Sequence, residues 1–463
     1  MNYNRRKFLR RVSAGGLAYA LSRTPGTVWG QMAGAGGFGE YRALVCVFMF
    51  GGNDSWNMVV PRTTAEYNAY NAARGGDQGV GAGLAVPLGS LLPIDPIGTT
   101  GAPFGFHPGM SGVQQLFQTG KAAVVTNIGP LLAPTTKAAY AAGSANLPPQ
   151  LFSHNDQQDQ WHSLRGRTVS KTGWAGRVAD LVTSQVPNQQ LAVNLSLAGN
   201  SYFQAADTVA PYVMGTNGPV AFSGFGTTGT NLARRQTVEA INNQTYGTIY
   251  ERAFAGVTRR AVTFADRVNA ALTGAPNLVA LPNTGVTLSA LEQQLRTVAK
   301  LIAQRATLSM TRQIFFVSTG GFDSHDDQNN DQPVLLANIS SALSRFYAAT
   351  EELGVQNSVV TFTQSDFGRT LTSNGDGSDH AWGGQQLLVG GPTALLGQRI
   401  YGTYPTLAIN GPDDVGGGRL IPTTSSDQYA ATLAKWFGVT DAQMPQVAPS
   451  INNFTTKNLG FLA

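Results

Sequence analysis

The segment from Ile314 to Phe362 limits the fold more than any other stretch of the chain. Two short runs of β-branched and aromatic residues stand on either side of Leu335–Leu353, whose apolar residues recur every three or four positions up to Gly354. Two strands joined through a helix run in the same direction, with a right-handed crossover. The sequence therefore predicts an α/β fold built on a parallel sheet.

Further apolar runs supply more strands for such a sheet. They occur at Leu44–Phe50, Ala122–Thr126 and Gln386–Val389. Runs that are apolar throughout, rather than alternating with polar residues, are typical of strands buried on both faces. We expect all three in the central sheet.

Helices are predicted outside these runs as well. Ser289 and Glu292 have the spacing of a capping box at the start of an amphipathic stretch, and residues 425–437 form a last helix closed by Gly438. The segment Arg234–Leu272 is assigned to a helical insert of about residues 231–312. The rest of the chain, residues 36–463, is predicted to be the single domain that contains this insert.

Basic residues are concentrated at the start of the chain. Six of the 31 lysines and arginines precede Glu40, with no acid among them, so the remainder carries 25 basic against 26 acidic residues. The whole-chain pI of 9.3 therefore does not describe the body of the protein, which is nearly neutral. This distribution argues against a nucleic-acid partner.

The basic start resembles an export signal. Arg5 and Arg6 precede Phe8 and a weakly apolar stretch that is too short to span a bilayer. The pattern indicates a twin-arginine signal peptide over residues 1–35 and a periplasmic or otherwise exported protein, with a basic amphipathic helix as the alternative. No later run predicts a transmembrane segment. The single cysteine, Cys46, lies in a predicted strand, so neither an internal disulfide nor a thiolate metal site is expected.

Three predicted strands each lead directly into an acidic residue. Asp54 follows the first, Asp323 follows the second in the stretch STGGFDSH, and Asp366 follows the third. Ligands of open parallel sheets bind beyond the carboxyl ends of the strands. We therefore expect these acids to share one site.

Histidines accompany these acids. His325 lies two residues after Asp323, and His380 directly follows Asp379. Carboxylate and imidazole ligands with an open position are typical of hydrolytic metal sites, whereas any single aspartate in a Gly-rich loop is alternatively a turn former. We predict one or two divalent cations (Zn²⁺, Ca²⁺, Mg²⁺ or Mn²⁺), with ligands drawn from Asp54, Asp323, His325, Asp366, Asp379 and His380.

Other residues have the chemistry to act on a substrate. Ser153 stands at the expected N-cap of a helix, where a hydroxyl serves either as a nucleophile or simply as a cap. Ser55 is the alternative nucleophile. Arg369 would either clamp an oxyanion or anchor a loop through an ion pair. His107 and His154 are predicted to assist substrate binding or proton transfer.

Several stretches together resemble one bacterial family across nearly the whole chain. Besides the twin-arginine start they are VFMFGGNDSWNMVVP, GFHPGM, STGGFDSHDDQ, SDFGRTLTSNGDGSDHAWGGQQLLVGG and DQYAATLAKWFGV. They are similar to the domain-of-unknown-function-1501 family of exported proteins, related to the sulfatase and alkaline phosphatase superfamily. The resemblance implies a three-layer αβα sandwich with a mostly parallel sheet and a metal-dependent site at its carboxyl edge.

The resemblance also assigns individual residues. Asp54 matches the acid after the first strand of the superfamily, and Asp379 with His380 matches its Asp-His pair. Asp323 and His325 fit its second acid and histidine.

Two positions differ from many relatives. Ser55 stands where they have Gly, which makes it a poorer nucleophile candidate, and Asp366 stands where they have Glu, which keeps the carboxylate. The chain has no Cys-x-Pro-x-Arg run, so a formylglycine sulfatase is disfavoured.

These features predict an exported, metal-dependent hydrolase of phosphate or sulfate esters, acting on a small-molecule or glycan ester. The first alternative is a non-catalytic envelope protein that binds a glycan or a protein partner through the same scaffold. A phosphotransferase or mutase is the second. The sequence leaves the oligomeric state open.

Overall fold

The computed structural model of the protein describes residues 38–463 except 169, 187–189, 220 and 221. The predicted signal peptide, residues 1–35, lies outside the described residues. The strands are β1 (Arg42–Met49), β2 (Val59–Pro61), β3 (Leu92–Ile94), β4 (Phe104–Phe106), β5 (Ala122–Gly129), β6 (Asn194–Ser196), β7 (Tyr212–Val213), β8 (Arg312–Thr319), β9 (Val359–Ser365), β10 (Arg369–Ser373), β11 (Ser378–His380), β12 (Gly384–Gly390), β13 (Ile400–Tyr401) and β14 (Thr424–Ser425). The α-helices are α1 (Thr64–Ala73), α2 (Ser111–Gln118), α3 (Lys137–Ala141), α4 (His154–Ser163), α5 (Trp174–Val182), α6 (Gly229–Asn242), α7 (Ile249–Gly274), α8 (Ala290–Ala303), α9 (Gln328–Glu352), α10 (Ser426–Phe437) and α11 (Met444–Val447).

The central sheet is mostly parallel. Its strand order is β13-β5-β12-β9-β1-β8-β6-β7, and β14 also pairs with β5. Within this sheet β12 is antiparallel to both of its neighbours, β5 and β9, and the other pairings described are parallel. The connection agrees with this direction, because β9 leads into the adjacent strand through the β10–β11 hairpin and without a crossover helix.

The strand-helix-strand unit of the sequence is present, but its two strands do not pair with each other. β8 and β9 are both parallel to β1, which lies between them. Cys46 in β1 therefore faces Phe316 in β8 on one side and Phe362 in β9 on the other. The direction of the strands was predicted correctly, whereas the insertion of β1 depends on a pairing distant in sequence.

Helices cover both faces of the sheet. Alternate residues of β1 point to opposite sides, so Val45 and Val47 join one apolar cluster and Leu44 and Phe48 join the other. The first cluster includes side chains of α2, α8 and α9, and the second includes side chains of α4, α5, α10 and α11. The predicted three-layer αβα sandwich is confirmed.

Local signals set two of the helix ends as expected. Ser289 Oγ accepts from the backbone N–H of Glu292, whose carboxylate accepts from Ser289 N at 2.7 Å, which completes the predicted capping box of α8. α10 is followed by Gly438 with a φ of 122°, a conformation that favours glycine.

Helix α9 begins earlier than predicted. It starts at Gln328 rather than Leu335 and continues through Pro333, although proline removes a backbone hydrogen bond. The extra turns place Gln328 and Gln332 on one face of the helix. Gln328 donates to the carboxylate of Asp54 at 2.6 Å, and Gln332 donates to the backbone carbonyl of Asp54 at 2.7 Å. These buried hydrogen bonds between distant segments explain the longer helix.

The region between β7 and α8 contains two helices, α6 and α7, where one helical segment was predicted. The limits of the insert and the division of the chain into domains stay predictions. No helix among the described residues is long and apolar enough to cross a membrane.

Candidate metal centre

Side chains from separate segments meet beyond the carboxyl ends of β8 and β9. Asp323 follows β8, Asp366 follows β9, and His154 is the first residue of α4. His154 Nδ1 lies 2.7 Å from Asp366 Oδ2, and its Nε2 lies 3.4 Å from Asp323 Oδ2. The structure thus brings together two of the three acids predicted at strand ends.

Asp323 is the centre of the cluster. Its Oδ1 lies 3.1 Å from His325 Nε2 and 3.3 Å from His380 Nε2, and it accepts from Arg369 Nη2 at 2.5 Å. The side chain of Asp323 is nevertheless 48% exposed. Solvent or a substrate therefore has access to the carboxylate that these residues surround.

The buried side of His154 is fixed by hydrogen bonds. Asp366 is fully buried, and its carboxylate is the hydrogen-bond partner of His154 Nδ1. The same carboxylate accepts from Gln158 Nε2 at 2.7 Å and from Gly51 N at 3.2 Å. His154 and Gln158 are four residues apart and so share one face of α4. With Nδ1 bonded to a carboxylate, the lone pair of His154 is on Nε2, which makes no hydrogen bond within the described part of the chain.

The two remaining histidines of the cluster are oriented in the same way. His380 Nδ1 lies 2.8 Å from the carbonyl oxygen of Phe152, and His325 Nδ1 lies 3.2 Å from Asp379 Oδ1. A carbonyl oxygen or an ionised carboxylate only accepts, so each Nδ1 carries the hydrogen and each Nε2 is left as an acceptor. Fixing one ring nitrogen in this way is how proteins orient metal-ligating histidines.

These orientations direct the Nε2 lone pairs of His154, His325 and His380 towards the carboxylate of Asp323. His325 Nε2 and His380 Nε2 are only 2.8 Å apart, and both are acceptors when both Nδ1 atoms carry hydrogen. Two acceptors at that separation repel each other unless a proton or a cation lies close to them. Arg369 Nη1 lies 3.4 Å from His325 Nε2, and a proton shared between the two rings or a bound cation would relieve the repulsion that is left.

The separations suit a small divalent cation. One ligand atom each from His154, Asp323 and His380 lie within 4.8 Å of one another. Zinc-to-ligand distances of roughly 2.0–2.2 Å give tetrahedral ligand-to-ligand separations of about 3.3–3.6 Å. Asp323 Oδ1 lies 3.3 Å from His380 Nε2, and Asp323 Oδ2 lies 3.4 Å from His154 Nε2. Each carboxylate oxygen is thus at a suitable distance from one imidazole, and the three residues could hold such an ion.

The charges of the clustered side chains also favour a cation. Asp323, Asp366 and Asp379 are accompanied by two guanidiniums: Arg369 pairs with Asp323, and Arg419, whose Nε donates to the His380 carbonyl at 3.1 Å, acts on Asp379. Neutral imidazoles therefore leave one excess negative charge. Burial acts to raise the pKa of Asp323, but Arg369 and the imidazoles outweigh it and hold that pKa below its usual value. The side chain of Asn374 lowers the pKa of Asp379, and burial lowers the pKa of His380. Ionised acids beside a neutral His380 are the protonation states that a cation site needs.

Arg369 serves the protein framework. It is fully buried, and it donates to the carbonyl oxygens of Gly52 (3.1 Å), Ser378 (3.0 Å) and Phe322 (3.3 Å) as well as to Asp323. Its donors are thus directed at the loops after β1 and β8 and at the start of β11, and its Nη1 also lies 3.4 Å from His325 Nε2. This arrangement favours the loop-anchoring role over the oxyanion clamp.

Asp54 lies beneath the cluster rather than within it. It is 1% exposed and makes an ion pair with the fully buried Arg74, while Gln328 donates to the same oxygen. Its other oxygen, Oδ1, has no hydrogen-bond partner among the described residues. Arg74 and Gln328 thus occupy one carboxylate oxygen of Asp54, and among the described residues no contact joins Asp54 to the three clustered histidines.

The hydroxyls of both predicted nucleophiles make hydrogen bonds to residues outside the cluster. Ser153 is the N-cap residue of α4, next to both Phe152 and His154, and its hydroxyl donates to Asp156 at 2.7 Å. Ser55 is buried, and its Oγ accepts from Gln385 N at 2.7 Å.

His107 also lies apart from the cluster. It is 1% exposed and caps a 3₁₀ turn by accepting from Gly109 N at 3.1 Å, and burial lowers its pKa to about 4. Its observed contacts are those of a structural residue.

Several residues around the site were not anticipated. Gln158 had a usable signal, since it follows His154 by four positions on one helix. Gln328 and Gln332 share the same spacing, but only in a helix that begins earlier than the sequence indicated. Arg74 has no such signal, because it lies in a long excursion between β1 and β5 and meets Asp54 only in the folded chain.

Comparisons with known proteins place the chain in a family. The chain is similar to two solved structures at 8% identity: Ps i-CgsB in complex with k-i-k-neocarrahexaose (89% of this chain, 77% of that chain, TM-score 0.37) and the PsFucS1 sulfatase from Pseudoalteromonas sp. (96% and 73%, TM-score 0.33). These are loose likenesses, and the fold described above rests on its own strand order. No curated protein matches the chain. A family model matches residues 41–449, and the chain therefore belongs to the family described as Protein of unknown function (DUF1501).

Proposed function

We propose that this protein is an exported, metal-dependent hydrolase of phosphate or sulfate esters. The observation that carries the proposal is the convergence of the Nε2 atoms of His154, His325 and His380 on the carboxylate of Asp323, at 3.4, 3.1 and 3.3 Å. The export part rests on the twin-arginine pattern within residues 1–35.

Asp323, His154 and His380 would hold the cation. A divalent ion there would supply positive charge that stabilises the charge developing on the ester oxygens. Asp366 and the Phe152 carbonyl would keep the two imidazoles in the ligating tautomer, and Arg369 would fix the carboxylate of Asp323. The 48% exposure of Asp323 leaves this side of the cluster open to a substrate.

His325 would transfer the proton. It is the most exposed histidine of the cluster, with 42% of its side chain accessible, and Asp379 orients its ring. In the proposed reaction the water oxygen bonds to phosphorus or sulfur as the bond to the alcohol oxygen breaks. His325 Nε2 takes a proton from the water and returns it to the departing alcohol oxygen, so the acid and the alcohol are the only products.

Cation binding tests the proposal directly. Asp323→Asn and His380→Gln are expected to lower the affinity for Zn²⁺ or Mn²⁺ at least 10-fold, the order expected when a site loses a ligand or its support. His107→Gln is the control, because it is the same histidine-to-glutamine change at a residue that lies outside the cluster. Calorimetric titration of metal-free protein with each ion gives the affinities.

Turnover is measured on the same proteins with aryl phosphates and aryl sulfates. His325→Asn is expected to reduce kcat by about 10²–10⁴, the usual contribution of a general acid or base, while leaving the cation affinity within a few-fold of wild type. A wild-type protein that binds none of the four predicted divalent cations would refute the proposal, as would an Asp323→Asn variant with unchanged affinity.

Ser153 distinguishes two forms of the reaction. Its hydroxyl is bonded to Asp156, which favours water as the attacking group. Ser153→Ala is therefore expected to retain turnover. Complete loss of turnover with cation binding intact would instead assign the attack to Ser153 and require a covalent intermediate.

Ser153 and Arg369 both make hydrogen bonds within the protein. These bonds also favour a second candidate, the non-catalytic envelope protein. That reading predicts a protein that turns over neither ester class and co-purifies with a glycan or a protein. A phosphotransferase or mutase would instead pass the phosphoryl group to an alcohol rather than to water, which product identification reveals.

A further inference from the structure

Helix α7 carries a heptad pattern along its whole length. Its apolar residues alternate in steps of four and three, which is the a/d spacing of a coiled-coil seam. The residues of this seam are Tyr250, Phe254, Val257, Ala261, Phe264, Val268 and Ala271.

The second half of the seam is covered by the chain itself. Val268 and Ala271 are 0% and 3% exposed and belong to the apolar cluster that contains residues of α8. Phe264 packs edge-on against Tyr212, with ring centroids 5.5 Å apart. This half of α7 is thus an established interface within the protein.

The first half of the same seam is left exposed by the residues that the structure describes. Tyr250 is 60% exposed, Phe254 69% and Val257 53%, and Ala261 is exposed as well. Large apolar side chains that line up on one face are unusual on a monomer surface and mark interaction sites. A seam of this period accepts another helix, because each residue fits between residues of a facing helix.

Helix α6 does not occupy this face. It packs on a different side of α7, where Arg235 makes an ion pair with Asp266 and Arg259 donates to the carbonyl of Asn242. On the helical wheel Arg259 and Asp266 lie roughly opposite the seam. Helix α6 therefore leaves the exposed half of the seam uncovered.

We propose that the exposed seam pairs with the same seam of a second copy of this chain, with the two helices antiparallel. In that register Phe254 faces Val257 of the second copy, and Tyr250 faces Ala261 of the second copy. Each large side chain then meets a smaller one, so every layer is filled without crowding. A parallel pair would instead set Phe254 against Phe254 and Tyr250 against Tyr250.

The charged residues beside the seam do not decide the orientation. Glu251 lies at an e position and Arg260 at a g position of the exposed half. In an antiparallel pair e faces e and g faces g, so these two residues lie on opposite sides of the seam. The choice of orientation therefore rests on side-chain size, which favours the antiparallel register.

The oligomeric state of the purified protein tests whether the exposed seam pairs with a second copy. We expect the purified full chain to sediment as a dimer that dissociates on dilution, and Phe254→Asp and Val257→Asp to raise the dissociation constant at least 10-fold. Val80→Asp is the matched control, because Val80 is 67% exposed on a distant loop. Circular dichroism and thermal unfolding check that each variant is folded. A monomeric wild type would overturn the proposal and leave the seam to another partner, and so would a Phe254→Asp dimer as tight as wild type.

Cross-linking tests the orientation. The only native cysteine, Cys46, is buried, so introduced cysteines report the seam alone. A mixture of Phe254→Cys and Val257→Cys proteins is expected to form a disulfide-linked dimer under oxidation, because those positions face each other. Cross-linking of Phe254→Cys with itself, and not with Val257→Cys, would overturn the antiparallel register.

Discussion

Asp427 is a buried acid in the first turn of α10. It is 2% exposed and accepts from Ser450 N at 2.8 Å, and burial raises its pKa to about 7 even though Ser450 and Arg177 act in the opposite direction. An ionised carboxylate there is stabilised less by the folded protein than by water. The folded state therefore holds the proton of Asp427 more tightly than the unfolded chain does.

Asp427→Asn is expected to make the protein more stable at high pH. Because the pKa is higher in the folded state, Asp427 favours folding fully below about pH 4, and that contribution is lost as the pH rises towards 7. The loss amounts to as much as about 4 kcal/mol, and asparagine, which does not ionise, avoids it. Urea unfolding of both proteins at pH 5 and pH 8 measures the difference. Equal pH dependence in the two proteins would show that Asp427 titrates as it does in water.

At the scale of elements, a buried polar network supports the β10–β11 hairpin from below. Arg74 donates to the Thr370 carbonyl in β10 at 2.9 Å and pairs with Asp54. Gln328 bonds both Asp54 and the hydroxyl of Ser378 in β11, at 2.6 Å each. The hairpin carries Arg369, Asp379 and His380. This network therefore fixes the position of these three residues in the cluster.

Arg74→Met is expected to destabilise the protein by about 3–5 kcal/mol, since it leaves the charge of Asp54 buried and unpaired. The double variant Asp54→Asn with Arg74→Met should recover much of that loss. Arg62→Met is the control, because Arg62 lies in the same excursion and donates to a single carbonyl, that of Ala102. Denaturant unfolding gives the free energies. An Arg74→Met protein no less stable than Arg62→Met would rule out the anchoring role.

The elements that could be predicted are those that local sequence determines. The capping box of α8, the terminal Gly438 and the apolar runs of β1, β5 and β9 act within a few residues. The start of α9 and the pairing of β1 with β8 and β9 depend on distant partners and were missed. The same division holds at the site, where acids and histidines at strand ends were recognisable but the Asp54–Arg74 pair was not.

At the scale of the whole molecule, cation binding at the proposed site would be coupled to folding. The ligands of the proposed site come from α4, from the loop after β8 and from the hairpin, so the unfolded chain does not present them together. A cation that binds only the folded state stabilises it by mass action.

Removal of divalent cations with a chelator is therefore expected to lower the free energy of unfolding. Restoring the preferred ion at about 100 times its dissociation constant should return about 2.7 kcal/mol. Asp323→Asn should show no such response, and His107→Gln should respond as wild type does. Thermal unfolding across a series of ion concentrations measures the effect. A wild-type Tm that stays constant over the series would argue against a site formed by folding.

The position of β1 in the sheet has a consequence for how the chain is made. β1 ends at Met49, yet its two neighbours begin only at Arg312 and Val359. During synthesis the first apolar strand leaves the ribosome long before either neighbour exists, and pairing between such distant segments is slow. We therefore expect the nascent chain to depend on a chaperone that shields this strand until the last third of the protein has been translated.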